Sequence, residues 1–161
     1  MPWFQLFLFI HILTAIVAFG PTFAFPLIAA MGAKEPQHSN FATRVSEAIE
    51  TRITIRAALT MPISGVAMIL TAGIDWLQLW LILGVILYVA AVTFAVAIQT
   101  PAVERVIKLT QAAPMPAGPG AQVAGPPPEL LAAVKQVQQG GMFLTVAIVA
   151  IVFLMVLRPT L

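Results

Sequence analysis

One histidine stands inside an apolar stretch of this chain. His11 lies eight residues past Trp3, in the segment Trp3–Met31. In a membrane helix that places it roughly 12 Å into the apolar core. An ionisable side chain there is costly and often functional. His11 shares a helix face with Thr14 and Ala18 at i, i+3, i+7 spacing, and small residues there let a second helix come close. The chemistry open to it is an axial haem ligand, a proton-relay group or a donor to a quinone. The plain alternative is a neutral histidine bonded across the bundle to Thr71, Thr145 or a backbone carbonyl. Haem iron takes one or two axial ligands such as His or Met. Met68, five residues before Gly73, matches the expected depth of His11, and Met155 lies shallower. The alternative for both methionines is adaptable apolar filling. His38 falls in a polar stretch at the other side of the bilayer and cannot share a haem with His11. Tyr88, the single tyrosine, sits in mid-segment and needs a partner for its hydroxyl. His11 is one possibility.

Other ionisable groups flank the apolar runs. Arg52 and Arg56 stand one turn apart. They read as an anionic-lipid or phosphate site, or more plainly as snorkelling charges at an interface. Glu47 and Glu50 could work as acid and base. The expected reading is a solvated helix face, pairing with Arg44 or Arg52. No Asp or Glu is expected within a span, which argues against proton-coupled transport and against a buried-acid protease. The chain has no cysteine, and no HExxH, GxSxG or phosphate-cradling loop. Any enzyme activity is therefore expected to be cofactor-borne, and the balance falls against an enzyme.

The elements that must carry these residues follow from composition. Of 161 residues, 60% are hydrophobic and 9% charged. Soluble domains run near 25% charged. This excludes a soluble enzyme, a nucleic-acid binder and a disordered chain, and leaves a membrane protein. A span needs about 20 apolar residues. Four are expected, at about residues 3–31, 53–73, 77–100 and 142–157, in one all-α antiparallel four-helix membrane domain. Gly20-Pro21 should kink the first span. Residues 41–52 read as an amphipathic helix, either interfacial and cytoplasmic or an extension of the second span. Val103–Thr110 and Glu129–Gln139 have helical character. Residues 112–128 hold six prolines and read as a flexible loop.

Orientation follows from the basic residues. Lys34, Arg44, Arg52, Arg56, Arg105, Lys108 and Lys135 flank the first and third loops, and only Arg158 lies opposite. The positive-inside rule puts those loops in the cytoplasm and both termini outside. Trp3, Trp76 and Trp80 then fall near the outer interface, where indole contacts lipid headgroups.

The run Leu6-Phe7-Leu8-Phe9-Ile10-His11-Ile12-Leu13-Thr14-Ala15-Ile16-Val17-Ala18-Phe19-Gly20 resembles the opening of a bacterial family of predicted integral membrane proteins, the domain of unknown function 2269 family. Thr71-Ala72-Gly73 and Met155-Val156-Leu157-Arg158-Pro159 fit the same family. The resemblance implies a four-span bundle in a bacterial cytoplasmic membrane, with no assigned activity. The first span is also similar to those of copper-resistance D-type proteins and of haem-binding protoporphyrinogen oxidases. In the latter a first-span histidine is implicated in haem binding, and His11 alone can be carried over. The expected function is an accessory or scaffold subunit of a larger membrane complex, among lipids and other subunits or copies of itself. The alternative is a haem b- or quinone-linked redox protein using His11, with Met68 as a second ligand.

Overall fold

Proline and glycine punctuate four helical rods, seen in a computed structural model that describes residues 2–112 and 127–159. Helix α1 (Pro2–Phe19) gives way to a tight 3₁₀ turn at Gly20–Phe23, and α2 (Phe25–Lys34) completes the rod. The cause is Pro21, which has no amide to offer the preceding turn. The α-helix is interrupted where the sequence led one to expect a kink or a break. After a second short 3₁₀ turn, α3 (Ser39–Ile49) runs through a π turn at Glu50–Thr54 into α4 (Ile55–Ala72). Gly73 closes α4 with φ of 65°, a left-handed cap that glycine adopts without steric cost. The Asp75 carboxylate accepts from the Leu77 amide at 3.0 Å and turns the chain. The third rod is α5 (Leu79–Phe94), a π turn at Ala95–Gln99, and α6 (Thr100–Ala112). The fourth is α7 (Pro128–Leu157).

The rods are longer than the expected spans. Each holds 30 to 34 residues and an apolar window able to cross a membrane. A 34-residue helix reaches roughly 50 Å, against a hydrocarbon core near 30 Å. The amphipathic stretch is thus an extension of the second rod, not a separate helix. Val103–Thr110 and Glu129–Gln139 likewise continue their rods. Among the described residues there are no strands. Most of the expected 112–128 loop lies outside the described residues.

Neighbouring rods run antiparallel. α1 packs on α4 and α5 on α7, while α2 meets α3, and α3 and α7 both meet α6. Near the Asp75 end the core is Ile69, Trp80 and Leu81, with Ile74 and Met155 against them. Farther along, Ala91, Leu144 and Ala147 pack with Phe94 and Ala95. At the charged end Ala102, Val103, Val106 and Ala133 are buried. Small residues recur because they let helix backbones approach. There Asn40 Nδ2 donates to the Ile107 carbonyl at 3.2 Å and to Thr110 Oγ1 at 2.8 Å, tying α3 to α6. Large apolar side chains such as Ile63, Leu70, Val146 and Phe153 face outward. That is the surface a bilayer covers.

Candidate functional site

His11 is held at the α1–α4 seam. Its Nδ1 lies 3.0 Å from Ser64 Oγ, and Ser64 Oγ in turn lies 2.8 Å from the Met61 carbonyl. A carbonyl only accepts, so the serine proton goes to Met61. With the serine proton so placed, the Ser64 oxygen accepts from His11, which assigns the imidazole proton to Nδ1. Its Nε2 keeps a free lone pair. Gly65 lies against the ring, where a Cβ would stand in ordinary contact, 3.4 Å from His11 Cε1. The partner is therefore Ser64, not Thr71 or Thr145. Thr71 and Thr145 return their hydroxyls to carbonyls in their own helices. Met68 is half-buried one turn beyond Ser64. Met155 packs with the Trp80 cluster and fills the space over Gly84. His38 pairs with Glu35 at 2.9 Å on the exposed surface.

Tyr88 has a different partner from His11. Its hydroxyl donates to the Ala58 carbonyl. That acceptor is free because Pro62, four residues on in α4, has no amide.

A cleft of about 620 Å³ opens in the middle of the bundle, and all four rods line it. Phe19, Thr22 and Phe25 come from the first rod, Glu50, Thr54 and Ala58 from the second. The third gives Tyr88, Ala95 and Gln99, and the fourth gives Gln138, Gly141 and Leu144. Both π turns border it. A π turn widens the helix by one residue and redirects the side chains on it, and such turns are frequent at functional sites. One turns Glu50 and Thr54 inward, and the other does the same for Gln99. Glu50 is 8% exposed and Gln99 7%. The expected solvated face at Glu50 is therefore corrected: the carboxyl faces the cleft. The expected ion pairs with Arg44 or Arg52 are also absent among the described residues, where Glu35 with His38 is the ion pair present. Thr54 Oγ1 is buried with no hydrogen-bond partner among the described residues. Gln99 Nε2 donates to the Val137 carbonyl at 3.1 Å, and its amide lies directly against Gly140.

The family comparison agrees with this architecture. The model of a predicted integral membrane protein family, DUF2269, matches residues 5–159. The chain belongs to this family. It matches no curated protein and no solved structure.

The other sequence-expected residues are spread around the bundle. Arg52 and Arg56 are exposed, and so are Trp3 and Trp76. Trp80 is 6% exposed, with the Arg158 guanidinium 5.2 Å from its ring centroid. It packs inside the bundle and does not face outward as an interface anchor would. Sequence reasoning passed over Ser64, Thr54 and Gln99. Each is an uncharged polar residue in an apolar segment, and the proline two positions after Gln99 was the one local signal of an irregular turn. Among the described residues no group of three His, Cys, Asp or Glu is placed to hold a metal.

Proposed function

We propose that this integral membrane protein receives a small amphipathic molecule in its central cleft and serves as an accessory subunit of a larger membrane complex. The observation that carries the reading is the cleft itself. Its volume lies in the range of small-molecule sites, and its walls are apolar with a few converging polar groups. Glu50 and Gln99 supply the polar end, while Phe19, Phe25 and Leu144 supply apolar wall. The accessory role rests on outward apolar faces suited to lipids, other membrane subunits or another copy of the chain. A bacterial cytoplasmic membrane, with both termini outside, is the setting that the basic residues and the family support. Gentle extraction into native lipid discs, followed by mass spectrometry of bound small molecules and subunits, tests it. A retained molecule lost on substituting Ala95 by Phe, together with co-purifying subunits, is the expected result. A bare monomer retaining nothing defeats it.

A second reading is haem b or quinone chemistry at His11. It is favoured by the hydrogen-bond direction that leaves Nε2 free to bind iron or accept from a quinol. His11 would offer a single nitrogen ligand, with Nδ1 anchored by Ser64, at the α1–α4 seam and not among the residues that line the cleft. Bound there, a haem would supply electron transfer. A Soret band that shifts in His11→Ala supports it, and its absence from purified, haem-supplemented protein rejects it.

A further inference from the structure

We infer that the cleft is built for a lipophilic organic cation, with Glu50 as its counter-charge. This rests on the reading of the cleft as a small-molecule site and names the chemistry of its occupant. A carboxyl held among apolar walls either takes up a proton or needs a cationic or hydrogen-bonding partner, and a cation is what brings it to the charged form. Glu50 is more than nine-tenths buried and borders the cleft. Among the described residues it has neither an ion pair nor a side-chain hydrogen bond. Among the described residues no Lys, Arg or His lines the cavity, so none of them supplies a cation there.

The rest of the wall agrees. Phe19, Phe25 and Tyr88 line the same space, and aromatic faces attract desolvated organic cations. An anion would meet Glu50 with no compensating positive group. A neutral amphiphile would fill the apolar space against a protonated carboxyl and gain no ion pair from it. A monocation with an apolar body satisfies both ends of the site.

The test uses the full chain in lipid nanodiscs, with empty nanodiscs subtracted. Three probes of related shape are titrated: tetraphenylphosphonium, tetraphenylborate and neutral triphenylmethanol. The expected result is saturable binding of the phosphonium, well above the other two. Glu50→Gln should weaken it by about tenfold or more. Equal binding of the cation and the neutral probe overturns the charge inference while keeping the cleft reading. So does unchanged affinity in a folded Glu50→Gln. Binding of none of the three overturns both. The preference among probes in the unsubstituted protein decides the matter even if the variant fails to fold.

Discussion

The Tyr88 hydroxyl donates to the Ala58 carbonyl, the acceptor that Pro62 strips of its helical amide. A defect in one rod is thus filled by a side chain from another. The bond fixes α5 against α4 at mid-bundle, beside the cleft that Ala58 and Tyr88 both line.

Tyr88→Phe is therefore expected to cost about 1 kcal/mol of unfolding free energy, the range for interhelical hydrogen bonds in membranes. Pro62→Ala restores an amide to Ala58. In that background the same Tyr88→Phe change should cost markedly less. A double-mutant cycle by denaturant titration in mixed micelles measures the coupling. Equal costs in both backgrounds would show that the two residues act independently.

Ser64→Ala removes the acceptor for His11 Nδ1. A loss of about 1 kcal/mol is expected, with most of it gone when His11 is already Phe. Nitrogen NMR of ring-labelled histidine should report an Nδ1–H tautomer for His11 in the parent protein and a changed signal in the variant. An Nε2–H signal in the parent would contradict the hydrogen-bond direction.

Adjacent glycines in α7 should behave oppositely. A methyl at Gly140 runs into the Gln99 amide, whereas at Gly141 the nearest such atom is 4.0 Å away. Gly140→Ala should destabilise by about 1–3 kcal/mol. Gly141→Ala should be neutral or stabilise by up to about 1 kcal/mol through helix propensity. Gln99→Ala should rescue Gly140→Ala. Thermal unfolding of the three variants decides it.

Because the chain has no cysteine, single cysteines can report topology without background. The seven-to-one division of basic residues leads to the expectation that Asp75→Cys reacts with an impermeant maleimide in intact cells. Lys108→Cys should react only after lysis. The reverse pattern would invert the orientation.

The sequence by itself determined the class, the number of rods and their order. Apolar runs, six acids and eight bases set outside the centres of those runs, and Gly20-Pro21 or Gly73 as punctuation are local signals, and the membrane enforces them strongly. They also made His11 visible, because an imidazole in such a run stands alone. What surrounds each side chain was decided by the tertiary structure. Glu50 sits at the edge of an amphipathic pattern that reads as solvated at 3.6 residues per turn. The π turn at Glu50–Thr54 breaks that period and carries the carboxyl inward. Ser64 and Gln99 look like ordinary polar residues in helices until α1 and α7 are packed on them. Trp80 reads as an interface anchor until α7 brings Arg158 over its ring. Periodicity assumes a regular helix and an unknown neighbour. Two widened turns and the packing of four rods supply what it leaves out, and together they form the cleft.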